Sequence, residues 1–456
     1  MEYPKFIDRS QELSLLETLF SSKKPKLVLL YGRRRVGKTA LLRQFADKHK
    51  CLYLLACQES ERDQLKRLGT HIADFFQDKV VEMNPFTTWD ALFTYINTKT
   101  TPSPIILDEF PYLVQSNKSL PSILQDYWDN YFSKRESFLI LCGSSITMME
   151  SLLGYKNPLY GRRSESILLE PLKFFDAVLF FPNLSREQKV EYYSVLGGTP
   201  AYLLEFDESK TLAINIKEKI LKKNSFLSQD VLFILREELN EPRYYFSLLH
   251  SISKGNTKLG QIINDTGLDK GLVIKYLSVL IELQLIERQI PITEKSPTKS
   301  RKGIYVLKDN FFKFWFRFIF ENSQYIEQEL FDKLVNEKIT PALPSFIGYA
   351  FEGICLEWVR KTYTQYLVGK WWDRNNEIDI VGIDPATSTL LVAEVKWKDV
   401  ADRDARTLME TLRVKASSIT DSYEKIKYMI VAKSLPTKNR LRDEGILAYD
   451  LEDIIP

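Results

Sequence analysis

The feature that most constrains this chain is the octapeptide Gly-Arg-Arg-Arg-Val-Gly-Lys-Thr at residues 32–39. The apolar run Leu27–Tyr31 before it predicts a buried strand, and Ala40–Ala46 after it predicts a helix. The two glycines allow successive backbone N–H groups to point inward at an anion, and the N-terminus of the following helix favours the same negative charge. This order of strand, loop and helix predicts a phosphate-binding loop on a parallel α/β sheet.

Within this loop, the side chains have defined roles toward a bound nucleotide. Lys38 is expected to neutralise the β and γ phosphates, and the Thr39 hydroxyl is expected to bind Mg²⁺. ATP and Mg²⁺ are therefore the predicted cofactors. The predicted nucleotide contacts in this segment are Gly32, Arg33, Arg34, Arg35, Val36, Gly37, Lys38, Thr39 and Ala40.

A second apolar run, Ile105–Leu107, ends in two acids. Asp108 is expected to help hold Mg²⁺, and Glu109 is expected to polarise the attacking water. Ser144 or Ser145 follows the next predicted strand, where a hydroxyl could sense the γ-phosphate, although a turn or a helix cap accounts for either serine equally well. The acids therefore predict ATP hydrolysis in addition to ATP binding.

The length of the chain, 456 residues, exceeds what one hydrophobic core supports and predicts about three domains. Short strand-forming runs alternate with helical stretches near the N-terminus and again near the C-terminus, which predicts an α/β multidomain fold. The predicted segments are a P-loop ATPase core at 1–165, a helical lid at 166–235, a winged helix-turn-helix at 236–310, aromatic connecting helices at 311–345 and a second α/β domain at 346–456.

Composition excludes several classes of protein. The net charge of +3 is too small to indicate a polyanionic partner by itself. The four cysteines lie in apolar contexts without a short paired spacing, which favours reduced thiols over disulfides or zinc. The first residues lack the basic region and apolar run of a leader, and no stretch reaches the ~18 apolar residues of a membrane span. We therefore predict a cytoplasmic protein without membrane contact.

Positive charge is concentrated in residues 243–302, which contain ten Lys or Arg against five Asp or Glu. Leu259–Asn264 and Lys270–Leu285 predict a helix-turn-helix, and Ile286–Ile290 with Gly303–Leu307 predict the strands of a wing. DNA is the predicted partner because this charge suits phosphate contacts, although docking within the chain or between subunits would use the same shape. The basic residues on the second helix and the wing are Lys270, Lys275, Lys295, Lys299, Arg301 and Lys302.

The C-terminal segment contains a second set of acids. Glu352 lies on a predicted helix, Asp379 on a strand, and Glu394 and Lys396 on the following strand. Alternate strand residues face the same side, so Glu394 and Lys396 project together. Asp379 and Glu394 are the predicted metal ligands, and Lys396 with Glu352 completes a site suited to Mg²⁺-dependent phosphodiester hydrolysis.

The N-terminal motifs together resemble the archaeal-type ATPase family, which is related to AAA+ and STAND ATPases. The segments that carry the resemblance are residues 6–9, 32–39, 107–110, 143–145, 158–163 and 197–200. The resemblance implies that Asp8 and Arg9 border the adenine and that Pro200 touches the nucleotide from the lid. It also implies that Arg162 is coupled to the γ-phosphate or to a neighbouring subunit, which leaves a homo-oligomer open.

The C-terminal acids resemble the PD-(D/E)XK nuclease pattern, with Glu352, then Asp379, then Glu394 and Lys396 in order. The strand acid follows Glu377 and Ile378 here, where the pattern often has proline. Archaeal-type ATPases often carry such a domain after an aromatic stretch like residues 310–318. The resemblance implies a restriction-endonuclease-like fold, either active or kept for DNA binding or packing.

Two functional hypotheses follow from these observations. In the first, ATP hydrolysis drives or gates a DNA-binding winged helix and a Mg²⁺-dependent nuclease domain. In the second, the chain is a STAND-like switch in which ATP controls assembly or partner binding and the C-terminal domain only recognises DNA.

Overall fold

The computed structural model describes residues 6–99, 103–239, 241–420 and 422–455. The chain divides into two compact units, each with its own sheet and core. The N-terminal unit is Met1–Leu172 with Thr199–Ala201, and the C-terminal unit is Lys173–Gly198 with Tyr202–Pro456.

The N-terminal unit is built on a five-stranded sheet in which every pairing is parallel, in the order β2-β3-β4-β1-β5. The interior strand β1 is buried at five of its six positions, as expected when helices cover both faces of a parallel sheet. Its strands are β1 (Lys26–Tyr31), β2 (Leu52–Leu55), β3 (Ile105–Asp108), β4 (Phe138–Gly143) and β5 (Glu165–Leu168).

The edge strand β5 was not among the predicted strands, and the predicted end of the core at residue 165 falls on its first residue. Glu165 and Ser166 make half of this four-residue strand polar, so it carries almost no apolar signal. Its partner is β1, with Val28 opposite Glu165 and Tyr31 opposite Leu168. Tertiary pairing with β1, rather than local preference, therefore makes this segment extended.

Helices flank this sheet, and their apolar faces form one core with it. Phe20, Phe45 and Phe138 pack against one another in this core, with ring centroids 5.4–6.0 Å apart. The helices are α1 (Ser10–Ser21), α2 (Lys38–Lys48), α3 (Glu61–Phe76), α4 (Lys79–Met83), α5 (Trp89–Thr98), α6 (Phe110–Ser116), α7 (Leu120–Asn130) and α8 (Ile146–Leu152), with a 3₁₀ turn at Phe132–Lys134.

Short helices form the region predicted to be a lid. They are α9 (Phe174–Ala177), α10 (Arg186–Leu196), α11 (Pro200–Leu203), α12 (Leu212–Asn215) and α13 (Phe226–Glu238), with a 3₁₀ turn at Val178–Phe180 and a π-helical turn at Ile216–Leu221. Most of residues 166–235 belong to the same compact unit as the C-terminal domain. The reason is packing, because Phe174 and Val190 share a core with Phe351.

Three helices and an antiparallel hairpin follow in the basic region. Gly267 adopts φ 66° at the end of the second helix, where a left-handed residue closes the turn, and Asp269 caps the third helix through the N–H groups of Gly271 and Leu272. The elements are α14 (Pro242–Ser253), α15 (Leu259–Thr266), α16 (Lys270–Glu282), β6 (Ile286–Gln289) and β7 (Ile304–Leu307), with a 3₁₀ turn at Pro297–Lys299 in the hairpin loop.

The aromatic segment is a buried connector. Phe311, Phe312, Phe314 and Phe316 are fully buried. The helices here are α17 (Asn310–Phe314), α18 (Ser323–Glu327), α19 (Phe331–Leu334) and α20 (Thr340–Thr362), with π-helical turns at Trp315–Ile319 and Val335–Ile339 and a 3₁₀ turn at Phe320–Asn322. By length and composition alone, the helical run Phe331–Thr362 could cross a membrane, although its C-terminal half forms part of the core of the last domain.

The last domain is a mixed five-stranded sheet in the order β12-β11-β10-β9-β8. Helix α20 covers one face through a core that includes Phe351 and Val395, and the next helix, α21, covers the other through Leu412 and Ala416. Strand β12 was not predicted. The elements are β8 (Leu367–Trp372), β9 (Glu377–Asp384), β10 (Thr389–Asp399), α21 (Asp402–Thr420), β11 (Lys425–Ser434), α22 (Lys438–Asp443), β12 (Leu447–Tyr449) and α23 (Leu451–Ile454).

Candidate nucleotide and metal sites

The phosphate-binding loop leaves β1 in a bend that only glycine allows. A Cβ added to Gly32 would lie 2.3 Å from the carbonyl oxygen of Leu169, and Gly37 adopts φ 100° at the start of α2. Lys38, the first residue of that helix, is buried, and its Nζ donates to the carbonyl oxygens of Gly32 at 2.8 Å and Arg33 at 2.9 Å. The Lys38 ammonium is therefore held by carbonyl oxygens of the same loop that would surround a phosphate.

Asp108 lies at the centre of a hydrogen-bond cluster beside this loop. Its Oδ2 accepts from Thr39 Oγ1 at 3.2 Å and from Tyr53 Oη at 2.5 Å, and its Oδ1 accepts from the N–H of Glu109 at 3.0 Å. Burial, followed by the negative charge of Asp108, raises the pKa of Tyr53 well above its usual range, which keeps the phenol protonated as a donor. The structure thus brings Thr39 and Asp108 together, as predicted for a shared magnesium ion, and adds Tyr53.

Glu109 directly follows Asp108 at the end of β3 and precedes α6. Its backbone is left-handed, with φ 55°, and its carboxylate accepts from the backbone N–H of Ser144 at 3.2 Å and from Ser144 Oγ at 2.5 Å. Ser145 instead precedes α8, where its side chain makes no capping hydrogen bond. Of the two serines left open by the sequence, Ser144 is therefore the one that contacts the candidate general base.

Arg9 braces the loop from outside the sheet. Its guanidinium is buried and donates to the carbonyl oxygens of Val36 at 2.8 Å and Glu170 at 2.6 Å, and it pairs with Glu12 at 3.1 Å. These contacts join the phosphate-binding loop to the segment after β5. Pro200 also lies close to the loop, since its Cγ would be 3.9 Å from a Cβ on Gly37.

The remaining predicted nucleotide residues occupy varied environments. Arg34 donates to the Tyr112 hydroxyl at 3.1 Å, Arg33 and Val36 are buried, and Thr39 and Ala40 are exposed at the start of α2. Arg35 has a left-handed φ of 71°, and Asp8 accepts from the Ser10 hydroxyl at 3.3 Å.

Arg162 is occupied by partners within its own unit. It donates to both carboxylate oxygens of Asp129, the closest at 2.8 Å, and to the carbonyl oxygen of Pro158 at 2.8 Å. The hydrogen bond to Asp129 raises the pKa of Arg162, so the pair is ionic. In this conformation the structure places Arg162 against α7, and contact with a γ-phosphate or a neighbour would require it to leave Asp129.

The second site lies near the start of β9 and in the middle of β10. Lys396 Nζ is 2.7 Å from Glu394 Oε1 and 3.7 Å from Asp379 Oδ2, so one ammonium faces both carboxylates. Asp379 Oδ2 also accepts from the backbone N–H of Val395 at 2.8 Å. Glu352, on α20, pairs with Lys370 of β8 at 2.5 Å. The structure therefore brings together Asp379, Glu394 and Lys396 as the sequence predicts.

Glu352 interacts electrostatically with the same cluster. Burial, then the charges of Glu352 and Glu394, raise the pKa of Asp379 to about 6. Burial lowers the pKa of Lys396, but the opposing charges of Asp379, Glu394 and Glu352 outweigh burial and raise it overall. The carboxylates of Glu352, Asp379 and Glu394 repel one another, and a bound cation would reduce this repulsion.

Two lysines in this site escaped the sequence analysis. Lys415, on α21, lies 3.0 Å from each oxygen of Glu394, and Lys370 holds Glu352. Lys415 lies between Leu412 and Ala416 of the buried stripe of α21, so a helical plot would have placed it at the border of the buried face. Within the described ranges, no three His, Cys, Asp or Glu side chains are arranged to hold a metal by themselves.

Comparison with known proteins matches both parts of the chain. A family described as an ATPase domain predominantly from Archaea matches residues 6–206, and one described as Archaea bacterial proteins of unknown function matches residues 315–408. An uncharacterised protein of Methanocaldococcus jannaschii is 35% identical over 98% of this chain and 99% of that protein. An uncharacterised ATP-binding protein of Pyrococcus abyssi is 24% identical over 44% of this chain and 69% of that protein.

The fold has a counterpart among solved structures. A Walker-type ATPase of Pyrococcus abyssi superposes with a TM-score of 0.52 at 18% identity, covering 70% of this chain and 99% of that one. The parallel sheet and its phosphate-binding loop thus define a P-loop ATPase, and the prediction of that fold is confirmed. The chain belongs to the archaeal-type ATPase family, together with the M. jannaschii protein that it matches along its whole length.

The first prediction concerns the brace formed by Arg9. Arg9→Met should weaken ATP binding about tenfold and lower the thermal midpoint of the N-terminal unit, because two buried carbonyl oxygens lose a charged donor. Glu12→Gln removes only the ion pair and should change ATP affinity less than about twofold. Fluorescent-nucleotide titration and calorimetry measure both effects. Equal affinities for Arg9→Met and the unaltered protein would contradict a bracing role.

Proposed function

We propose that this ATPase binds DNA and that its C-terminal domain cleaves DNA phosphodiester bonds with Mg²⁺. The observation that carries the nuclease assignment is the single ammonium of Lys396 facing both Asp379 and Glu394. Oxygen ligands on neighbouring strands are the donors that Mg²⁺ or Mn²⁺ prefers, so this donor set fits the metal. The match to a domain family at residues 315–408 extends over three of these residues without assigning them an activity.

At the nucleotide site, the proposed roles follow from the contacts. Lys38 would exchange its loop carbonyls for the β and γ phosphates, and Thr39 with Asp108 would hold Mg²⁺. Glu109 would orient the attacking water after Ser144 releases one of its oxygens. Bound Mg²⁺ would neutralise charge that develops on the phosphate oxygens.

The second prediction separates ATP binding from ATP cleavage. Lys38→Ala should weaken ATP binding at least about tenfold, because it removes the cation that faces the phosphates. Glu109→Gln should retain ATP affinity but reduce the hydrolysis rate by about a hundredfold or more, because an amide cannot accept a proton from water. A phosphate-release assay beside nucleotide titration distinguishes them. An unchanged rate in Glu109→Gln would remove this residue from catalysis.

At the proposed nuclease site, Lys396 would position the water or the scissile phosphate, and Glu352 would support the cluster from α20. Bound Mg²⁺, held by Asp379 and Glu394, would supply Lewis-acid activation of the phosphodiester. The low exposure of Asp379 and Glu394, 7% and 5%, limits competition from bulk water for these oxygens. The three acids and their lysine partners are otherwise costly to bury, which favours a functional reason for their presence.

The basic hairpin supports DNA binding, and it is attached to the nuclease-like sheet. The backbone N–H of Ile292 donates to the carbonyl oxygen of Lys370 at 2.9 Å, and Trp372 Nε1 donates to the carbonyl oxygen of Lys302 at 3.1 Å. The loop between these two anchors exposes the side chains of Lys295, Lys299 and Arg301. We propose that this segment is the wing of a winged helix that grips DNA backbone beside the nuclease site.

The third prediction tests the wing. Replacing Lys295, Lys299 and Arg301 by Gln should weaken binding to unrelated duplexes alike and reduce the salt slope by roughly 0.9 for each phosphate that is no longer neutralised. Lys302 is left unaltered because it pairs with Glu294 at 2.7 Å. The matched control replaces the exposed Lys24, Lys222 and Lys223. Fluorescence anisotropy at several salt concentrations measures the slopes, and equal slopes for the two triple variants would exclude backbone contact by the wing.

The fourth prediction tests the nuclease site. Asp379→Asn and Glu394→Gln should each abolish Mg²⁺-dependent DNA cleavage, because an amide in place of either carboxylate removes a charged metal ligand. The matched control Glu377→Gln alters an exposed acid of the same strand as Asp379 and should cleave normally. ATP hydrolysis should be unaffected in all three variants.

The cleavage assay uses plasmid, linear and single-stranded DNA, each with and without ATP. If the unaltered protein cuts none of them with Mg²⁺ or Mn²⁺, or if cutting survives both substitutions, the nuclease assignment is wrong. A nucleotide-dependent switch with a DNA-binding C-terminal domain would then account for the ATPase and the basic hairpin.

A further inference from the structure

We propose that Lys415 is a positioning residue that holds Glu394 when no cation is bound and moves to a DNA phosphate when Glu394 takes up a divalent cation. The inference rests on the proposed nuclease function and assigns a role to a residue outside the four-residue pattern. Its basis is geometric, because helix α21 brings one lysine onto both oxygens of the same carboxylate.

The carboxylate of Glu394 lies between two ammonium groups. Lys396 approaches Oε1 at 2.7 Å from the same strand, and Lys415 approaches Oε1 and Oε2 at 3.0 Å each from the covering helix. Glu394 is 5% exposed, so both contacts occur where water screens charge poorly. Glu394 therefore has two positive partners, and it shares one of them, Lys396, with Asp379.

The second ammonium on Glu394 matters for cation binding. A divalent cation on Glu394 would stand close to both ammonium groups, and at such distances like charges repel strongly in a partly buried site. Lys396 has Asp379 as a second partner at 3.7 Å. Among the residues that the structure describes, Lys415 forms its ion pair with Glu394 alone, so repulsion would displace Lys415 first.

A displaced Lys415 can remain at the mouth of the site. Its side chain is 24% exposed, and the adjacent Val414 is 72% exposed, so the helix surface here is open to a polymer. The phosphodiester backbone is the substrate group that offers an anion at this position. The Lys415 ammonium would thus move from Glu394 to the DNA phosphate. The divalent cation would then compensate the charge of Glu394, and Lys415 would compensate the charge of the phosphate.

Two binding measurements on the full-length protein test this exchange without relying on cleavage. Isothermal titration with Mn²⁺ should show that Lys415→Met binds the metal about threefold to tenfold more tightly than the unaltered protein, since a competing charge is gone. Lys415→Arg, which keeps the charge, should bind Mn²⁺ with nearly normal affinity. Lys398→Met is the matched control, because Lys398 lies on the same strand as Glu394 and pairs with the exposed Asp404 at 3.5 Å.

The second measurement compares DNA affinity in EDTA and in Ca²⁺, with a short labelled duplex. Lys415→Met should bind DNA normally in EDTA, where the lysine holds Glu394, and about threefold more weakly than the unaltered protein in Ca²⁺. Lys398→Met should show no loss that is specific to Ca²⁺. Thermal midpoints close to normal in each variant ensure that the comparison is between folded proteins.

The outcomes separate this inference from the proposed function. If the unaltered protein binds no Mn²⁺, the metal site fails and the inference fails with it. If it binds Mn²⁺ and Lys415→Met binds no more tightly, the exchange alone is wrong. An equal loss of DNA affinity in EDTA and Ca²⁺ would make Lys415 an ordinary surface contact, and weaker Mn²⁺ binding would make it a structural support for Glu394, so either result overturns the proposal.

Discussion

The strand β1 is the element on which the N-terminal site depends. It pairs with β4 on one side and the edge strand β5 on the other, so the loop that follows it emerges between two neighbouring strands. The carbonyl oxygen of Leu169, just after β5, occupies the space that a side chain at residue 32 would need. The short polar strand β5 therefore has a structural purpose, because it sets the wall against which the phosphate-binding loop turns.

Much of the nucleotide site could be predicted because its chemistry is local in sequence. Eight consecutive residues specify the loop, and an apolar strand that ends in Asp108 and Glu109 specifies the acids. Tyr53 could not be predicted, because β2 meets β3 only through the sheet register that pairs Tyr53 with Ile106. The bracing contacts of Arg9 were missed for the same reason, since its partners are the backbone carbonyls of Val36 and Glu170.

The C-terminal fold shows a similar division between local and tertiary information. Strands β8, β9 and β10 are long and apolar enough to stand out, whereas β12 has three residues and exists because β11 offers it an edge. The four-residue pattern named the acids and Lys396, but Lys370 and Lys415 lie on other elements at distances in sequence that no motif fixes. The bounds of the lid stay a prediction, and the packing of α10 adds what the sequence did not show, because Val190 lies in the same core as Phe351.

Buried charge also explains an oddity of the aromatic connector. Lys313 interrupts an otherwise apolar run, and burial lowers its pKa despite the negative charges of Glu287 and Glu352 nearby. Glu287 belongs to the hairpin strand β6, and Glu352 belongs to α20 beside Asp379 and Glu394, so acids from two elements oppose the effect of burial on the pKa of Lys313. A loss of charge at Glu287 or Glu352 would consequently lower the pKa of Lys313 further.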